Sequence, residues 1–116
     1  MDVLVVDDNP DSAELMAMLL SIDGYVARFA IRSEEALALA SESPPLCALI
    51  DVVMPGLSGH ELASRLRDKF GDSVVLIAVS GLAPSDAGVS PEYAVFDHYL
   101  PKPISQEALR RLLPPL

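Results

Sequence analysis

Short apolar runs alternate along this chain with longer stretches spaced like helices. Residues 3–6, 46–50 and 74–79 are apolar throughout, with no polar residue at alternate positions. That pattern predicts strands covered on both faces. Residues 25–29 predict a second strand and residues 97–100 a brief fifth. After the first strand, Asn9 is placed to cap a helix whose first position is Pro10, where a missing N–H is harmless. Ala13, Met16, Ala17 and Leu20 follow the i, i+3, i+4, i+7 spacing of a core-facing stripe, and Gly24 closes the helix. Residues 33–41 form an alanine-rich helix with Glu34 and Glu35 in its first turn, ended by Pro44 and Pro45. A third helix is signalled by Ser58 and Glu61 as a capping box, by Leu62, Ala63, Leu66 and Phe70 as its buried face, and by Gly71 as its stop. Pro84, Gly88 and Pro91 predict that any helix between the fourth and fifth strands is short, broken or irregular. A last helix starts at about Ser105, turns Leu109, Leu112 and Leu113 inward, and stops at Pro114 and Pro115. Strands alternating with helices predict an α/β fold, a parallel sheet wound with crossover helices.

The residues that follow the strands carry the chemistry. Asp7 and Asp8 come after the first strand, Asp51 after the third, Ser80 after the fourth, and Lys102 with Pro103 after the fifth. In an open parallel sheet, groups beyond the carboxyl ends of the strands converge on one crevice. Three carboxylates, a hydroxyl and an ammonium would then share a pocket able to hold a divalent cation beside a phosphoryl group. Each residue alone has a plainer use. Paired acids at a strand end suit a solvated turn or a helix cap. Ser80 beside Gly81 suits a loop, Lys102 suits the surface, and Tyr99 suits half-buried packing with its hydroxyl in water. His60 and His98 match no metal-ligand spacing and are expected at the surface.

Composition narrows the function classes. With 116 residues, 51% of them hydrophobic, the chain is expected to be one domain spanning residues 1–116. Its net charge of −9 argues against a basic nucleic-acid-binding face and for cationic partners or bound metal. The single cysteine, Cys47, lies within an apolar run. It predicts a buried, inert thiol and agrees with a reducing cytoplasm. No apolar run reaches the roughly 18 residues of a membrane span, and the amino-terminal residues read as a strand with no basic leader, so neither membrane insertion nor export is expected.

Taken together, Asp7 and Asp8, Asp51 with Met54, Pro55, Gly56 and Gly59, Ser80 with Gly81, and Tyr99 before Lys102 and Pro103 resemble the receiver domain of two-component response regulators, the CheY-like family. The resemblance runs over essentially the whole chain. It implies a doubly wound, flavodoxin-like sheet of five parallel strands in the order 2-1-3-4-5, with helices on both faces and a switch point between the first and third strands. It implies that Asp51 accepts a phosphoryl group from a phosphohistidine, borne by a histidine kinase or a histidine phosphotransfer protein. Mg²⁺ would be held by Asp8, Asp51 and the backbone carbonyl of Val53, with Asp7 acting largely through water. Lys102 would neutralise a phosphoryl oxygen and Ser80 would donate a hydrogen bond to another. Ser80 and Tyr99 would then act as the switch, biasing the face formed by the fourth helix, fifth strand and fifth helix toward a downstream effector or fused output domain. On this reading the domain catalyses only its own phosphorylation and dephosphorylation.

The sequence departs from the family pattern in places. Residues 83–93 replace a clear fourth helix, and Val95 stands where glycine is common. Val53 and Leu82, two residues beyond Asp51 and Ser80, are apolar at positions that border the path of the hydrolytic water in the family this chain resembles, and that resemblance implies slow loss of the phosphoryl group. Two rival readings use the same residues. An aspartate-based phosphohydrolase needs a second acid two residues after its nucleophile, where Val53 sits. A phosphorylation-independent, receiver-like interaction domain needs no intact site, yet every site residue is present. A P-loop enzyme is excluded by the lack of a glycine-rich loop carrying Lys and Ser or Thr.

Overall fold

A computed structural model describes residues 2–51, 59–80, 95–101 and 105–113. The strands are β1 (Asp2–Val6), β2 (Val26–Ala30), β3 (Cys47–Asp51), β4 (Val75–Ser80) and β5 (His98–Pro101). All pair in parallel, in the order β2-β1-β3-β4-β5. The helices are α1 (Pro10–Ile22), α2 (Ser33–Glu42) and α3 (Gly59–Phe70), followed by a 3₁₀ turn at Gly71–Ser73 and a C-terminal helix at Gln106–Leu112. The Ser58 end of the expected capping box, and residues 83–93, lie outside the described residues.

The unalternating apolar strands are explained by two core layers. Val3, Val5, Cys47, Leu49, Ile77 and Val79 pack with Ala13 and Leu20 of α1 and Leu109 of the C-terminal helix. The intervening Leu4, Val6, Ala48, Ile50 and Leu76 pack with Ala36 and Ala40 of α2 and Leu62, Ala63 and Leu66 of α3. Successive strand residues point to opposite faces, so a strand buried on both sides needs apolar residues at every position.

The helix ends follow local chemistry. The Asn9 side chain accepts from the N–H groups of Asp11 and Ser12, with Pro10 in the first turn. Gly24 and Gly71 lie at φ 98° and φ 60°, the left-handed region that lets the chain leave a helix at little cost. Arg28 of β2 donates to the carbonyls of Leu39 (2.9 Å) and Ser43 (2.7 Å), capping the end of α2 from the sheet. Arg67 of α3 donates to the carbonyls of Gly71, Val74 and Val95 and to Asp97 Oδ2 at 2.6 Å. The same Asp97 oxygen accepts the Leu76 N–H at 2.8 Å, so α3, the start of β4 and the entrance to β5 are tied at one point. Burial pushes the Asp97 carboxyl up, but the Leu76 N–H and Arg67 outweigh it and hold the group below the usual carboxylate value.

Four of the five strands begin and end one residue later than the apolar runs alone predict: β2, β3, β4 and β5. Ladder pairing continues through the polar residue that closes the run, with Asp51 opposite Val79 and Ser80 opposite Pro101. His60 departs from its expected surface role: it is half-buried, its ring edge-to-face with Phe96 at 6.4 Å, whereas His98 is exposed.

Candidate functional site

Register builds the site. Val6 is paired with Ile50, so the next step along each strand sets Asp7 beside Asp51. The Asp7 N–H donates to the Ala30 carbonyl at 3.1 Å and extends the β1–β2 ladder one residue past β1. Asp51 closes β3 as a paired strand residue. Both acids share strand parity with Val5 and Leu49, so they belong to the side of the sheet that α1 covers. Asp7 is 8% exposed and Asp51 5%, while Asp8 is exposed to solvent. A carboxylate oxygen from each of Asp7, Asp8 and Asp51 lies within 4.8 Å of the other two.

This donor set fits a hard divalent cation. Mg²⁺ takes oxygen ligands at about 2.1 Å in an octahedron and keeps several waters. Oxygens spread over 4.8 Å suit such an ion when one carboxylate is reached through water. Three negative groups this close repel one another unless a cation stands between them. Among the described residues no histidine or cysteine joins the cluster, which disfavours zinc.

Asp7 and Asp51 line a cavity of about 470 Å³ together with Ser12 and the apolar Val5, Leu15, Met16, Leu19, Leu49 and Val79. Apolar walls lower the local dielectric and strengthen whatever charge contacts form at the rim.

The other expected site residues are placed less fully. Ser80 ends β4 next to Val79, itself opposite Asp51. Tyr99 is in β5, paired with Ala78, and half-buried. Lys102 follows Pro101, the last residue of β5, and the Val53 carbonyl follows Asp51 by two residues. Lys102, Val53 and Leu82, and the Ser80 hydroxyl, lie outside what the structure describes. Sequence reasoning missed the outward face of α1, where Leu15, Met18 and Ile22 are exposed, Ile22 by 73%. Their i, i+3, i+7 spacing was visible, but it coincides with a second apolar stripe on the same helix and reads as part of the core.

A five-stranded 2-1-3-4-5 sheet with acids at its switch point is shared with known proteins. A family model of the response regulator receiver domain matches residues 3–113. The chain belongs to that family. It is 34% identical over 114 residues to an uncharacterized 14.6 kDa protein of Leptolyngbya boryana, covering 97% of this chain and 87% of that one. It is 35% identical over 107 residues to the response regulator MprA of Mycolicibacterium vanbaalenii, covering 92% of this chain and 46% of MprA. The chain thus spans about half the length of its MprA relatives. Among solved structures, a CheY-like receiver domain from Methylobacillus flagellatus superposes with a TM-score of 0.86 at 29% identity, covering 97% of this chain and 94% of that one. The response regulator TrrA of Thermotoga maritima, solved with Mg²⁺ and BeF, gives a TM-score of 0.83 at 30% identity, covering 97% and 98%. TrrA has also been solved in complex with the histidine kinase ThkA, where it gives 0.83 at 29% identity, covering 95% and 92%.

This chain is therefore a receiver domain of the two-component response regulator family, a signalling module with the CheY-like fold. Among its described residues no helix is long and apolar enough to cross a membrane.

Proposed function

We propose that this receiver domain takes a phosphoryl group from a phosphohistidine onto Asp51, with Mg²⁺ held by Asp8, Asp51 and the Val53 carbonyl and by Asp7 through water. The observation that carries the proposal is the meeting of three carboxylates from two strand ends within 4.8 Å, two of them buried. An Asp51 oxygen attacks phosphorus, the N–P bond of the donor breaks, and the imidazole nitrogen leaves with the electron pair. The transfer depends mainly on positioning and charge neutralisation. The metal would offset negative charge on the phosphoryl oxygens. Lys102 and Ser80 are assigned to the remaining oxygens, and Tyr99 to the conformational response that an effector or fused output domain reads.

The donor is a histidine kinase or histidine phosphotransfer protein in the cytoplasm, in keeping with the complex that the similar TrrA forms with a kinase. Leu15, Met18 and Ile22 offer it an apolar face on the helix that begins beside the acids. The domain catalyses no reaction but its own phosphorylation and dephosphorylation.

The test is incubation with a radiolabelled small phosphodonor, with and without Mg²⁺. Wild type should take up label of acyl-phosphate lability only with Mg²⁺, and Asp51→Asn should take up none. Absence of label from wild type would leave a receiver-like scaffold, and repeated turnover of phosphomonoesters would mark a hydrolase. Either result removes the proposal.

A further inference from the structure

We propose that Asn9 is a positioning residue for the acidic corner: by capping α1 it holds the turn that presents Asp7 and Asp8 to a metal ion. The inference rests on the reading of Asp7, Asp8 and Asp51 as a magnesium site. Asn9 bonds in two directions at once. Toward the site, its N–H donates to Asp7 Oδ1 at 3.0 Å. Toward the helix, its Oδ1 accepts from the Asp11 N–H at 3.0 Å and the Ser12 N–H at 3.3 Å, and its carbonyl accepts from Ala13 at 3.0 Å.

One pair of backbone angles, φ −89° and ψ 111°, serves both sets of bonds. Pro10 reinforces that extended conformation, since the proline ring disfavours a helical residue before it. Without the carboxamide cap, two N–H groups in the first turn of α1 lose the one oxygen that accepts them, and the Asn9 backbone is freer to rotate. The N–H that fixes one oxygen of Asp7 would rotate with it. That matters because Asp7 and Asp51 are buried carboxylates close to Asp8, and a metal ion needs oxygens of all three aimed at one point. Holding them in place beforehand lowers the free-energy cost of assembling the site around an ion.

The amide is also the suitable cap by charge. Asparagine and aspartate cap helices about equally well. An aspartate at position 9 would add a fourth negative charge to a corner that already has three, whereas asparagine caps without one.

The experiment is calorimetric titration of the whole chain with Mg²⁺, for wild type, Asn9→Ala, Asn9→Ser and Arg110→Ala, each checked for folding by circular dichroism. Serine restores a neutral cap. Arg110→Ala unties the other end of α1, where Arg110 Nη2 and Nε grip Asp23 at 2.8 and 3.1 Å, without touching the acidic corner. Asn9→Ala should bind Mg²⁺ about tenfold more weakly, the loss typical when a residue that orients metal ligands is removed. Asn9→Ser should recover most of the affinity, and Arg110→Ala should match wild type. If wild type binds and Asn9→Ala binds equally well, the positioning role is overturned while the metal site stands. If Asn9→Ser stays as weak as Asn9→Ala, or Arg110→Ala weakens equally, the effect is general loosening and the role is overturned. If wild type binds no Mg²⁺, the metal reading itself falls and this inference falls with it.

Discussion

Among the described residues the buried polar or charged side chains are Asp7, Ser33 and Asp51. Burying a carboxylate is costly unless something compensates for it, so two of them at neighbouring strand ends set this corner apart from the apolar interior around it. Their neighbour in β3, Cys47, shows the opposite use of burial. It has no exposed surface, and desolvation, aided by the charge of Asp97, pushes its thiol from 9.0 up to about 12. The thiolate that reagents attack is therefore absent at neutral pH. A disulfide reagent should label Cys47 only when the chain is unfolded, and rapid labelling of the native protein would contradict its burial. The unfolded thiol ionises near 9.0 and the native one near 12, so the unfolded chain releases a proton that the native chain retains. This contribution to stability is complete below about pH 9 and is lost as pH rises toward 12. Tyr25, raised mainly by burial, acts in the same direction. Urea midpoints at about pH 8 and about pH 10.5 should differ less in Cys47→Ala than in wild type.

At the scale of the element, α1 carries two apolar faces. Ala13, Ala17 and Leu20 are buried against the sheet, while Leu15, Met18 and Ile22 face solvent. The buried stripe was legible because small and apolar residues recur at helical spacing. The exposed stripe was not recognised, because spacing cannot say which of two apolar faces the sheet will cover. If the exposed face receives the donor protein, Met18→Asp should slow phosphotransfer from a phosphorylated histidine kinase by about tenfold, the effect of about 1.4 kcal/mol at an interface. Uptake from a small phosphodonor, which needs no docking, should be unchanged. Equal kinase rates in the variant and wild type would remove α1 from the docking surface. Asp51 and Ser80 are polar, so hydropathy ends the run before them, yet their backbones still pair with neighbouring strands. Hydropathy reports what side chains bury, whereas a strand ends where its main-chain partners do.

For the whole molecule, the acidic corner brings carboxylate oxygens of Asp7, Asp8 and Asp51 within 4.8 Å of one another at the end of a sheet with a core layer on each face. An ion that binds the native state and not the unfolded chain stabilises by mass action, by about 1.4 kcal/mol at tenfold excess over its Kd. Mg²⁺ should therefore raise the Tm of wild type by several degrees, as scanning calorimetry would record. Without metal, Asp51→Asn should melt higher than wild type because one of three crowded charges is gone, and it should gain less from Mg²⁺. A wild-type Tm indifferent to Mg²⁺ would show that the corner does not bind it. The sequence by itself determined the α/β class, the cap at Asn9, the start of the last helix near Ser105, the two-sided burial of the strands and the rim on which the acids fall. These follow from local propensity, from hydropathy period and from the convergence of parallel strand ends. Tertiary structure alone decided that Asp7 lies beside Asp51 and is held by the Asn9 N–H, that Arg67 and Asp97 pin α3 to two strands, that His60 packs on Phe96, and that one face of α1 stays open. Each of these depends on register and on the docking of segments far apart in the chain, and no local pattern encodes those distances.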